Sequence, residues 1–205
     1  MPSKREKAKK RRETFWKPFL EENDEMLIKW AIKRKIIDRR PTNESDLHFA
    51  RAEAYSRIEQ VKALQHKFGD DIIIKQMPLK HHYDMVVTVS GETQAYEGKF
   101  RCYDADDNET TDISKSKTDY EKCRNCPYTL YFLSISYDNK VRCWEMFDTN
   151  VSAGTWEHQS NSVLDYGRTV EEICLKYPND KTLWNDDIPG INPLEDIEYD
   201  KQYYN

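Results

Sequence analysis

Residues 84–101 read DMVVTVSGETQAYEGKFR, and their pattern decides the fold. Apolar residues alternate with others on both sides of Ser90-Gly91, a turn signal, so the stretch is a β-hairpin. A two-residue turn at Ser90-Gly91 sets Asp84 opposite Glu97, and a turn at Gly91-Glu92 sets it opposite Lys99. Opposed residues share a face, so either turn groups Asp84, Glu97 and Lys99, whereas a three- or five-residue loop would separate them. The other face carries Met85, Val87 and Val89 against Tyr96, Phe100 and Cys102, a candidate core. Two carboxylates so placed repel unless a cation lies between them, and a divalent metal is the usual one. The plainer alternative is a solvent-facing cross-strand salt bridge, which stabilises little.

Working outward, 205 residues suffice for one well-buried domain. With 38% hydrophobic and 34% charged residues, no run approaches a membrane span and no signal-peptide pattern follows the first residues. The expected location is cytoplasmic. Five cysteines, an odd number, do not form a secreted disulfide framework. Cys123 and Cys126 make a single C-x-x-C, too little for a tetrahedral zinc site unless Cys102, Cys143 or a histidine joins them. The net charge of −5 hides an asymmetry. Residues 1–12 hold seven basic side chains and one acid, a surplus of +6, which leaves −11 for the remainder. Such a basic arm suits phosphate binding or a nuclear address, and equally a solvated tail.

Upstream of the hairpin, residues 22–37 carry helical spacing, and 41–45 break it. A longer helix is expected over 46–68, ended by Gly69. Its apolar stripe is Leu47, Ala50, Ala54, Ile58, Val61, Leu64 and Phe68. Glu53 and Arg57 lie at the edge of that stripe and Glu59 nearly opposite. Glu53 is therefore a candidate for the helix–sheet boundary, or simply the i+4 partner of Arg57. Residues 71–76 read as a strand, and Lys80-His81-His82-Tyr83 as a loop whose histidines are most simply hydrated.

Downstream, 104–111 is loop-like, 114–126 a helix bearing Lys115, Lys117 and Lys122, and 128–137 with 141–147 a second hairpin turned by Asp138-Asn139-Lys140. Residues 170–176 suggest a last helix. The fold class is α/β (α+β): a mixed central sheet of about five strands flanked by helices. The expected organisation is a basic arm at 1–14 that need not be ordered, one domain at 15–177 with its core at 46–147, and an acidic extension at 178–205.

In this order the elements resemble the PD-(D/E)XK nuclease superfamily, the restriction-endonuclease-like fold. Asp84 matches the family's Asp, Glu97-Gly98-Lys99 its Glu-x-Lys, and Glu53 the acid that many members carry on the preceding helix. Tyr83 stands where the family's proline is usual. The resemblance covers roughly residues 46–147. It implies a nuclease that binds Mg²⁺ (or Mn²⁺) through Asp84, Glu97 and Glu53, with Lys99 stabilising charge or orienting water. Such ions take hard oxygen ligands and activate water. Lys115, Lys117, Lys122 and Arg101 would contact phosphates. The implied partner is nucleic acid, DNA before RNA, and cutting both strands favours a homodimer. The alternatives are a non-catalytic acidic binding protein on the same fold and a metal-dependent RNA endonuclease.

Overall fold

The computed structural model describes residues 2–79, 81–101, 103–114, 125–147, 156–165 and 168–188. Ser3 starts the first helix, α1 (Lys4–Arg11), through a capping box. Its hydroxyl accepts from the Glu6 N–H at 3.3 Å, and the Glu6 carboxylate accepts from the Ser3 N–H at 2.6 Å. The chain runs on through a π-helical turn, Arg12–Trp16, into α2 (Lys17–Glu22), and then α3 (Asp24–Lys33). The basic arm is thus helical from Lys4. α4 (Glu44–Phe68) is capped by Asn43, whose side chain accepts from the Asp46 N–H at 2.8 Å. It stops at Gly69, where φ is 83°, a conformation glycine adopts without steric cost.

α4 packs against the sheet and also against α2 and α3. Ala50, Ala54, Tyr55 and Ile58 join Trp16, Leu20, Leu27, Ile28 and Trp30 in one cluster. Val61, Ala63 and Leu64 join Met85, Val87, Tyr96, Leu133 and Ile135 in the next. Glu59, opposite the apolar stripe, is nevertheless fully buried. A single-stripe reading leaves that side to solvent.

The main sheet has six strands: β1 (Ile73–Gln76), β2 (Met85–Val89), β3 (Glu92–Phe100), β5 (Thr129–Ile135), β6 (Lys140–Glu145) and β9 (Trp184–Asp187), in the order β1-β2-β3-β5-β6-β9. Only β3 and β5 run parallel; every other pairing is antiparallel, so the sheet is mixed and the class α+β. A second, three-stranded antiparallel sheet contains β4 (Thr110–Ser114), β8 (Arg168–Pro178) and β7 (Trp156–Asp165), in the order β4-β8-β7. Its Ile113 and Tyr177 pack on Ala95, Leu130, Phe132, Trp144 and Met146. The main sheet therefore has α4 on one face and the small sheet on the other.

Three expectations change. Residues 170–176 are strand rather than helix, because β8 is paired on both edges and such pairing overrides local preference. Ser114 closes β4, and the rest of the helix expected over 114–126 falls largely on 115–124, outside the described residues. Beyond Pro178 the chain does not simply extend away: β9 pairs with β6, and Ile188 enters the core.

Trp16 anchors the N-terminal helices. It is 7% exposed, with ring centroids 4.7 Å from Tyr55 and 4.6 Å from Phe100, both edge-on. Trp16→Ala should lower unfolding stability by about 3–5 kcal/mol, read as a fall in the urea midpoint. An unchanged midpoint would show that these helices do not belong to the cooperative core.

Candidate functional site

The hairpin turns at Ser90-Gly91, with φ of 51° and 87°, and pairs Val89 with Glu92 and Met85 with Tyr96. Both central residues have positive φ, as the tight turn preferred by strand twist requires. Continued one step, this register sets Asp84 opposite Glu97. Asp84 is 4% exposed and Glu97 1%.

The pleat, however, is interrupted at Asp84. In an extended residue N–H and C=O point to the same neighbouring strand. The Asp84 N–H donates to the Tyr96 carbonyl on β3 at 2.8 Å, while its carbonyl accepts from the Met77 N–H on the other side, also at 2.8 Å. The carboxylate then reaches toward α4 instead of alternating regularly. Arg57 Nη2 donates to Asp84 Oδ1 at 3.2 Å, and Gln60 Nε2 and the Gly98 N–H each donate to Oδ2 at 3.0 Å. Glu97 and Lys99 follow the alternation of β3 and share the face of Ala95, which packs toward the small sheet. Asp84 and Glu97 thus bracket the Glu97–Gly98 peptide rather than lying side by side on one pleated face.

Arg57, 2% exposed, is the hub. Its Nε donates to Glu53 Oε1 at 2.9 Å, and its Nη1 donates to the carbonyls of Met77 and Asp84. Glu53 is therefore the i+4 partner of Arg57, and it is joined to Asp84 through the guanidinium. At Gly98 a Cβ would lie 2.0 Å from Gln60 Cδ, so any larger residue would force the Gln60 amide away from Asp84. Without one, Gln60 crosses β3 closely enough to reach Asp84.

Lys99 is half-buried and has no side-chain hydrogen bond or ion pair among the described residues. Arg101 is half-buried too, and its N–H donates to the Ile135 carbonyl at 2.7 Å. Lys115, Lys117 and Lys122 lie outside the described residues, as does Cys123. His81 packs edge-on against Tyr83 at 4.4 Å, with Nδ1 3.3 Å from the Tyr83 carbonyl. Burial holds its pKa below the usual histidine range, against the opposing pull of that carbonyl.

The donor set bears on a hard cation. Among the described residues no three His, Cys, Asp or Glu side chains converge as a metal cage. Mg²⁺ asks for less: one or two carboxylates, with water completing the shell. Asp84 Oδ1 carries one long hydrogen bond and keeps acceptor capacity, and the buried Gln60 Oε1 has no hydrogen-bond partner among the described residues. Asp84 and Glu97 fit such an ion in donor type, from either side of the Glu97–Gly98 peptide; Gln60 lies on the α4 side with Asp84, and Glu53, engaged by Arg57, does not stand ready in the same way. Arg57 and Gln60 escape a motif search for acids. Their signal is helical spacing, since Glu53, Arg57 and Gln60 fall at i, i+4 and i+7 on one face.

No family model, curated protein or solved structure matches the chain.

Arg57→Met would leave the Asp84 carboxylate buried without its cation and should cost about 3–5 kcal/mol. Gly98→Ala should cost about 1–3 kcal/mol through overpacking on Gln60. Both are measurable by urea unfolding, and a neutral Gly98→Ala would show that Gln60 does not sit where its contact requires.

Proposed function

We propose that the protein is a Mg²⁺-dependent nuclease of the PD-(D/E)XK kind, with Mn²⁺ as a substitute and DNA as the favoured substrate. The observation that carries this reading is the pair of buried carboxylates, Asp84 and Glu97, bracketing one peptide of β3 two residues before Lys99. The surrounding order supports it. A long helix precedes the hairpin, and the next main-sheet strand, β5, runs parallel to β3 with Lys99 level with Ser134. These are the helix, hairpin and following strand of the order the family resemblance implies; the helix it places between hairpin and strand falls largely on 115–124, outside the described residues.

In this reading Asp84 and Glu97 would hold the ion, which would supply Lewis-acid polarisation of the phosphate and an activated water. Arg57 and the Gly98 N–H fix the Asp84 carboxylate, so that it does not reorganise as charge develops. Lys99, free of an ion pair within the described protein, stabilises negative charge on the phosphate oxygens. Cutting both strands of a duplex would need two such sites, hence a homodimer.

A second reading draws on the same cluster. Both Asp84 oxygens already accept hydrogen bonds, as a purely structural carboxylate would in a non-catalytic binding protein on this fold.

One experiment separates the two. Supercoiled plasmid, single-stranded DNA and RNA are incubated with the protein in Mg²⁺, Mn²⁺ or EDTA, alongside a calorimetric Mn²⁺ titration. The nuclease reading expects metal-dependent cleavage that is abolished in Asp84→Asn and Glu97→Gln. Lys99→Ala should fall about 10²–10³-fold in rate while Mn²⁺ binding is kept. Absence of both cleavage and a Mn²⁺ site sensitive to Asp84→Asn would leave the structural reading.

A further inference from the structure

Among the described residues the most densely charged helix is α1, and the structure fixes it in place. Among Lys4–Arg11 the sequence KREKAKKR carries six basic residues and one acid. Two contacts hold the helix to the body. Arg11 donates to Asp104 Oδ2 at 2.8 Å and lies 4.4 Å over the Tyr137 ring, and the Asp104 carboxylate, with that ring, holds its pKa above the usual arginine value. One and a half turns on, Trp16 is inserted between Tyr55 and Phe100. Lys7, Lys9 and Lys10 remain exposed. Lys9 meets Glu13 only at 3.9 Å on an open surface, and Lys7 and Lys10 have no ion pair among the described residues.

We propose that α1 is a docking helix for the phosphate backbone of nucleic acid, held at the end of the main sheet where β3 and β5 finish. Three observations select this partner. First, charge: residues 1–12, which contain α1, carry +6 on a −11 remainder and so draw a polyanion to this end of the molecule. Second, Ala8 is the only apolar residue of α1, so the helix lacks the apolar face by which an amphipathic helix enters a lipid surface. Third, position: Trp16 packs on Phe100, the residue after Lys99, and Arg11 packs on Tyr137, two residues past the end of β5. A backbone lying along α1 is thereby brought to the strand ends that carry the Glu97-Gly98-Lys99 stretch. Docking needs no cleavage, so it stands or falls separately from the nuclease reading.

The test measures binding of a fluorescent 30-base-pair DNA duplex by anisotropy in EDTA, from 50 to 200 mM salt, with the full chain. The triple variant Lys7→Gln/Lys9→Gln/Lys10→Gln touches only exposed side chains. It should weaken binding at least about tenfold at 50 mM salt and flatten the slope of log K against log salt by about 3, near 0.9 for each phosphate no longer neutralised. The control Lys29→Gln/Lys33→Gln, on the exposed side of α3, should bind as the unchanged protein does. No duplex binding by the unchanged chain, or an equal weakening in control and triple variant, overturns the proposal. So does binding to phosphatidylserine vesicles at equal or greater affinity with the same dependence on the three lysines.

Discussion

The Asp84 carboxylate is buried, and a buried charge must be compensated where it sits. Arg57 compensates it, and that single requirement draws four elements together. The guanidinium comes from α4, two of its acceptors are carbonyls at the ends of β1 and β2, and the remaining donors to Asp84 are Gln60 of α4 and the Gly98 N–H of β3. A buried ion pair of this kind adds little net stability over apolar packing, but removing one partner is costly. Its consequence here is positional. The hairpin cannot slide along α4 without stranding either the guanidinium or the carboxylate.

The same cluster sets the close approach of helix and sheet. Gln60 occupies the space that a side chain at position 98 would fill, so α4 lies on β3 at a point where β3 has none. Around this contact the layers are arranged by burial. The small sheet covers one face of the main sheet, and α4 covers the other with α2 and α3 behind it. Burial in the core between α4 and the main sheet raises the pKa values of Tyr96 and Cys143 well above their usual ranges, which keeps both neutral.

Charge is arranged on a larger scale as well. Basic residues meet the acidic body at a few defined places: Arg11 at Asp104, Arg142 and Lys140 at Asp106, Arg51 at Asp24. The Lys140 and Arg142 hydrogen bonds hold Asp106 below the ordinary carboxylate range. These contacts tie the 104–107 loop to the sheet on one side and to α1 on the other. The N-terminal helices are therefore continuous with the surface that borders the strand ends after Lys99.

Local chemistry made a large part of this legible from the sequence. Ser90-Gly91 marked a turn and with it the pairing of β2 with β3, its register left between two even-length turns. Asp138-Asn139-Lys140 marked the turn between β5 and β6, where Asn139 has a φ of 65°, without fixing the register that sets Ile135 opposite Val141. Gly69 marked the end of α4. Each depends on residues adjacent in the chain. What the sequence could not decide was which neighbours would meet a polar side chain. Strict alternation placed Asp84 beside Glu97, but Arg57 and Gln60 lie 27 and 24 residues before it and turn its carboxylate to the helix. Glu59, nearly opposite the apolar stripe, is nevertheless fully buried. β8 pairs with β4 and β9 with β6 over long separations, and a strand's preference is settled largely by the partner it finds. Turns follow from the chain itself. The side a buried charge faces follows from the cation that tertiary packing brings to it.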